Sequence, residues 1–202
     1  MWHEIADNLV QYTKSTAFDQ SENTDLLELY ESMVAPLHSK INPLKYAIIT
    51  VQVSRQHSDL ERAITFLKEA HKHLDGKTDA QFLCRIGQAE KRLNLGQHYD
   101  CLQLLTEVKN ETEPMSDIDP KVYAMLADVN AQYYRRKEDY ENFYKSGLTY
   151  LAYTPADELS DEEKLQWSTK LGMAVLLGKK IFNVAELVSF LRANHCSWTK
   201  KF

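Results

Sequence analysis

The chain has 202 residues, of which 44% are hydrophobic and 26% charged, so it has the length and composition to bury a core and does not read as disordered. A formal net charge of -5 gives no electrostatic reason to expect a nucleic-acid partner. Six glycines, five prolines and no hairpin dipeptide between alternating runs point to an all-α protein.

The first residues, MWHEIADNLV, lack the basic start and long apolar run of a signal peptide. No stretch approaches the roughly 20 apolar residues of a membrane span. Three cysteines, with no C-x-x-C among them, suit a reducing compartment. These features lead to the expectation of a soluble, intracellular protein with no membrane partner.

In chain order, helices are expected near 3–15, 25–40, 43–56, 59–75, 79–95, 97–110, 120–137, 139–153, 161–178 and 181–193. Pro36 should kink or split the second, because an interior proline removes a hydrogen bond and clashes with the preceding turn. Asn42-Pro43 and Asp119-Pro120 each put a capping side chain before a proline at the first helical position. Ser58-Asp59-Leu60-Glu61, Thr78-Asp79-Ala80-Gln81 and Ser160-Asp161-Glu162-Glu163 each read as a capping box with a hydroxyl N-cap. Gly76 and Gly96 stand where left-handed C-terminal caps are wanted.

The interiors carry the helical period. Leu60, Ala63, Ile64, Leu67, His71 and Leu74 fall on one stripe, and Phe82, Ile86, Ala89 and Leu93 on another. Cys101, Leu104, Leu105 and Val108 form a third, followed by Val122, Leu126, Val129 and Tyr133, then Tyr140, Phe143, Tyr144, Gly147 and Leu151. Short turns make neighbouring helices antiparallel. Leu60, Tyr99, Tyr140 and Phe182 each open a helix after such a turn, at intervals of about 40 residues. A two-helix period of that length is the mark of an α-solenoid, here a right-handed one of antiparallel hairpins related to tetratricopeptide repeats. One repeat domain over 1–202 is expected, with an irregular tail from 194.

Chemistry is scarce. His98 and Cys101 are three apart and share a helix face, as half a metal site or a base–thiol pair would. Zinc needs two more ligands, and Cys84 is the only other cysteine near in sequence. Cys101 also lies on an apolar stripe, where a thiol acts as a small hydrophobe. His71 and His73 diverge by about 200° round a helix and cannot share an ion. One is expected to pack and the other to be exposed. His195-Cys196 is a lone adjacent pair.

Seven of the eleven tyrosines lie between Tyr123 and Tyr153, as groove walls or as helix packing, and packing accounts better for the stripe residues. Arg135-Arg136-Lys137-Glu138-Asp139 mixes signs at a turn and reads as a solvated corner. No nucleotide-loop, serine-hydrolase or zinc-protease motif occurs. No catalytic residue, cofactor site or metal site is assigned.

Several collinear strings carry a resemblance: LYESMVAPLHSKINPLKYAI at Leu29–Ile48, ERAITFLKEAHKHL at Glu61–Leu74, RLNLGQHYDCLQLL at Arg92–Leu105, ENFYKSGLTYL at Glu141–Leu151 and LLGKKIFNVAEL at Leu176–Leu187. The key pieces are Asn42, Pro43 and Leu44, then Leu177, Gly178, Phe182, Asn183, Glu186 and Leu187. Over about residues 25–188 the chain resembles the N-terminal helical-repeat part of a 26S proteasome lid subunit family, the non-ATPase PCI-domain type numbered thirteen in the human set.

That resemblance implies a non-catalytic scaffold in ubiquitin-dependent degradation, in cytoplasm and nucleus. It implies other lid subunits and neighbouring regulatory-particle proteins as partners. The alternatives are an arm of the COP9 signalosome or a translation initiation complex, or a peptide-binding repeat; a Cys/His enzyme stands behind these. Val184 and Ala185 replace the family's usual Phe and Gly, and the sequence from Ser189 finds no match. With no winged-helix pattern in these residues, an N-terminal piece, truncated isoform or diverged paralogue is expected. Self-association through the last hairpin is a further expectation.

Overall fold

The computed structural model describes residue 8, residues 25–181, 184–185 and 187–189. Among them the regular structure is entirely helical. We number the helices α1 (Asp25–Leu29, running into a π-helical turn at Tyr30–Val34), α2 (Pro43–Ser54), α3 (Leu60–Lys72), α4 (Thr78–Asn94), α5 (His98–Thr112), α6 (Pro120–Arg136), α7 (Tyr140–Tyr153) and α8 (Asp161–Leu177). The expected helix near 3–15 lies outside the described residues.

The expected interruption at Pro36 is present. The expected helix over 25–40 stops at Val34, and residues 35–40 form turns. The Ala35 N–H reaches back to Tyr30 O at 2.8 Å, the five-residue step of a π turn. Pro36 has no N–H with which to continue the ladder. Both Tyr30 and Val34 are buried. The Tyr30 hydroxyl lies 2.8 Å from the Tyr46 hydroxyl of α2, and Thr50 donates to Tyr46 O at 2.8 Å.

Helix starts follow side-chain capping, with two corrections. Asn42 Oδ1 accepts from Leu44 N at 2.9 Å, and Asp119 Oδ1 from Lys121 N at 2.9 Å, each before its proline. Ser160 and Glu163 form the reciprocal capping box, with Asp161, Glu162 and Glu163 at the positive end of the dipole. At α3 the cap is Asp59 rather than Ser58; its carboxylate accepts from Glu61 N and Arg62 N. At α4, Thr78 is already helical and Lys77 holds the N-cap position with no side-chain bond. Here the preceding corner fixes the entry. Gly76 takes φ 73° and the Lys77 N–H bonds to Leu74 O.

The same corner recurs before α5 and α7. Gly96 has φ 79°, and Gln97 N donates to Arg92 O at 2.9 Å. Glu138 has φ 57°, and Asp139 N donates to Tyr134 O at 3.0 Å. A left-handed residue closed by such a bond is the usual end of a helix before a tight turn.

The chain divides into two compact units, one ending at Ile118 and the other starting at Asp119. In the first, α4 packs against α2, α3 and α5. It is buried almost throughout, through Phe82, Leu83, Cys84, Ile86, Ala89 and Leu93. In the second, α7 packs against both α6 and α8. Its core holds Ala131, Phe143, Tyr144, Leu151, Leu159, Leu171, Ala174 and Leu187. The expected stripes are the buried faces, although Leu60, His71, Leu104 and Tyr140 are only half-buried.

Two glycines in the second unit separate packing from propensity. A Cβ on Gly147 would lie 2.6 Å from Leu171 Cδ2 and 3.2 Å from Trp167, whereas one on Gly172 meets nothing within 4 Å. Leu171 is fully enclosed and has nowhere to swing. Gly147→Ala is therefore expected to destabilise: overpacking costs about 1–3 kcal/mol, against a helix-propensity gain of about 0.5–1 kcal/mol. Gly172→Ala keeps that gain and should be neutral or stabilising. Urea unfolding of both variants checks the pair.

Candidate functional site

The stretch Leu93–Leu105 holds the residues that most resembled an active site. His98 is the first residue of α5 and half-buried. Cys101 is fully buried beside Leu105 and Val108, in the face α5 packs inward. The corner is tied by Arg92, whose guanidinium reaches Asp100 at 2.7 Å and Gln97 at 3.2 Å. Cys84 is also fully enclosed, and burial pushes its thiol up to about 12. A thiol so protonated is a poor nucleophile. Among the described residues no group of three or more His, Cys, Asp or Glu could hold a metal ion.

The histidines separate as their spacing predicts. His71 is half-buried, and desolvation, helped by Arg85, lowers its pKa. His73 is exposed, with its ring 5.1 Å from that of His38. His195-Cys196 lies outside the described residues. The tyrosines pack between helices: Tyr123 stacks on Tyr153 at 5.1 Å, and Tyr150 on Trp167 at 4.8 Å. Residues 135–138 are exposed at the α6–α7 corner.

The junction residues hold different positions. Leu60 and Tyr140 open α3 and α7; Tyr99 is one residue inside α5 and strongly exposed. Phe182, Asn183 and Glu186 lie outside the described residues. Of the other motif positions, Asn42 caps α2, Pro43 opens it and Leu44 is half-buried beside them. Leu177 ends α8 exposed, and Leu187 is buried in the second unit's core. The Gly178 N–H bonds to Ala174 O, and a Cβ there would lie 2.5 Å from Ile181 Cδ1.

Sequence reasoning missed a charged cluster inside the first unit. Glu90 and Lys91, in α4, look like an ordinary solvated pair within QAEKRLN, yet both are buried, Lys91 at 3% exposure. Arg55, just past α2, meets Glu90 Oε1 at 3.1 Å, and Lys91 Nζ lies 3.9 Å from Glu90 Oε2. Desolvation lowers the Lys91 pKa; Glu90 opposes that and Arg55 adds to it. Beside this cluster, His57 Nε2 is buried without a hydrogen-bond partner, its ring 5.1 Å from Phe66. Desolvation lowers the His57 pKa, Lys91 and Arg62 lower it further, and Glu31 and Asp59 oppose them. The one available signal was that Glu90 and Lys91 fall at helical positions among Ala80, Leu83, Cys84 and Gly87, away from the side that carries Gln81, Arg85 and Arg92.

This architecture defines a helical-repeat protein. Sequence comparison gives the family. The PSD13 N-terminal repeats match residues 1–197, and the chain belongs to that family. It is 32% identical over 194 residues to the 26S proteasome non-ATPase regulatory subunit 13 homolog A of Arabidopsis thaliana, covering 94% of this chain and 50% of the relative. The Dictyostelium discoideum subunit 13 is 24% identical over 192 residues, covering 94% and 49%. The 26S proteasome regulatory subunit RPN9 of Saccharomyces cerevisiae is 25% identical over 203 residues, covering 93% and 50%. The chain thus spans about half the length of these relatives. Among its described residues, no helix is long and apolar enough to cross a membrane.

Glu90→Gln leaves Lys91 buried without its carboxylate and should cost about 1–3 kcal/mol. Lys91→Met should be far milder, because it removes the charge that needs compensation. Chemical denaturation distinguishes them.

Because the folded pKa of His57 and His71 is lowered, the folded state favours their neutral form. Their contribution is complete above the unfolded value of about 6.5 and is lost as pH falls below it towards the lowered native values. Denaturation midpoints should drop between pH 7 and pH 5, and His57→Gln with His71→Gln should flatten that drop.

Proposed function

We propose that the chain is a non-catalytic, protein-binding arm of the 26S proteasome regulatory particle, acting in its lid in ubiquitin-dependent degradation. The family match over residues 1–197 carries this reading, because the relatives are named as non-ATPase regulatory subunits of that particle. The fold supports it: helical repeats present long surfaces to neighbours, and the most enzyme-like residues, Cys84 and Cys101, are enclosed in packing.

In this reading residues 1–202 form one right-handed arm with a period of about 40 residues, with Leu60, Tyr99, Tyr140 and Phe182 at its joints. Asn42, Pro43, Leu44, Leu177, Gly178, Phe182, Asn183, Glu186 and Leu187 are the motif positions it shares with the family. Its partners are other lid subunits and neighbouring regulatory-particle proteins, in cytoplasm and nucleus. It needs no cofactor.

Affinity purification of the tagged chain, followed by mass spectrometry, tests the proposal. Recovery of regulatory-particle subunits is the expected result. Recovery of none, or of another complex in their place, overturns it.

A further inference from the structure

The sequence carries Ser-Asp-x-Asp/Glu three times, as SDLE from Ser58, SDID from Ser116 and SDEE from Ser160. Such a string has two physical meanings, and conformation decides between them. Wound into a first helical turn, it is a capping box in which serine and acidic residue satisfy each other. Held extended, it presents a hydroxyl followed by separated carboxylates, which is what an acidophilic serine kinase reads through basic side chains in its groove. Three residues span about 10 Å extended and about 4.5 Å along a helix, so one conformation cannot serve both.

At Ser160 the helical meaning is realised. Its Oγ donates to Glu163 Oε2 at 2.8 Å, and the Glu163 N–H donates to Oγ at 3.2 Å. The hydroxyl and the carboxylate that a kinase needs are thus bound to each other. At Ser58 the next residue, Asp59, caps α3 by accepting from Glu61 N and Arg62 N, and Glu61 lies in the first turn. Ser116 differs. It is exposed between α5 and α6, and Asp117, Ile118 and Asp119 all precede the helix that Pro120 opens. Asp119 has φ -59° and ψ 132°, an extended backbone. Its Oδ1 accepts from Lys121 N at 2.9 Å, and a carboxylate keeps acceptor sites on both oxygens. Asp117 is exposed.

We propose that Ser116 is a phosphorylation site for an acidophilic serine kinase, and that folding withholds Ser58 and Ser160 from the same enzyme. In the transfer the Ser116 Oγ forms a bond to the γ-phosphorus of ATP. The bond from that phosphorus to the bridging oxygen breaks, ADP leaves, and the hydroxyl proton passes to the kinase's catalytic aspartate. The product adds about 1.5–2 negative charges at neutral pH to a connection that already holds Glu113, Asp117 and Asp119. It therefore separates from the parent chain by anion exchange.

The folded 202-residue chain, incubated with casein kinase II and ATP, is expected to carry phosphate at Ser116 when mapped by mass spectrometry. Synthetic peptides spanning each of the serines should all accept phosphate, the Ser160 peptide fastest because Asp161, Glu162 and Glu163 follow it directly. Ser116→Ala should remove the phosphate from the folded chain. Asp119→Asn should slow its addition about tenfold or more, through loss of one charge-assisted contact. Circular dichroism and thermal midpoint should stay unchanged in that variant, because asparagine caps a helix as well as aspartate does.

A folded chain phosphorylated at Ser58 or Ser160 as fast as the matching peptide overturns the proposal. So does a Ser116 left bare in the folded chain, or a rate at Ser116 indifferent to Asp119→Asn. None of these outcomes depends on whether regulatory-particle subunits are recovered with the tagged chain.

Discussion

At Gly87 helix α4 runs so close to α2 and α3 that an added Cβ would lie 3.1 Å from Val51 and 3.3 Å from Leu67. This approach lets one helix serve as core for three neighbours. It also explains why α4 is buried almost throughout, since α2, α3 and α5 together leave little of its circumference to water. At Gly147 in the second unit, α7 meets α8 with even less room. Both glycines are mid-helix and carry a propensity penalty of about 0.5–1 kcal/mol. Packing density repays it, because dispersion falls off steeply with small gaps.

Close packing around α4 also accounts for the buried charges. Glu90 and Lys91 lie near the end of a helix with little solvent face to place them on. Arg55 enters from the end of α2 with part of its side chain open to water, so the cluster is bound to solvent at one edge. Such clusters give little net stability, because desolvation offsets attraction. This one is sensitive to the removal of the shared carboxylate of Glu90, which ties Arg55 at the end of α2 to α4.

The helices were legible in the sequence because turn chemistry and apolar period agree over most of the described residues. Asn42, Asp119 and Ser160 cap as their residue types require, and Gly76 and Gly96 adopt the left-handed conformation their positions demand. Reading failed where two residues compete for one role. Ser58 and Asp59 can both cap, and the carboxylate of Asp59 is the one that reaches two free N–H groups. Thr78 yields because the corner before it already fixes the entry. Glu138 was invisible for a different reason. It takes a left-handed conformation that costs a residue with a Cβ roughly 1–2 kcal/mol, and it is held there by its own N–H on Arg135 O and by the closing bond from Asp139 N to Tyr134 O. Burial of Glu90 and Lys91 was likewise hidden, since charge type predicts exposure until the neighbours are known.

The half of the reading that concerns function came from collinearity rather than chemistry, and the contrast between α4 and α8 shows why. A repeat protein has few residues whose type alone announces a role; its signal is which faces are apolar and what stands against them. In α4 each apolar side has a covering helix in the same unit. In α8 one apolar side is covered, by α7 and by Leu187 and Ile181, and the other holds Leu165, Met173 and Leu176 in the open. Periodicity gives α4 the stripe Phe82, Ile86, Ala89 and Leu93 but gives α8 none, because apolar residues on opposite sides of α8 blur any single stripe. What separates them is the company each keeps after folding. In a helical-repeat protein, what a face packs against is therefore read from the fold, and residue type alone does not announce it.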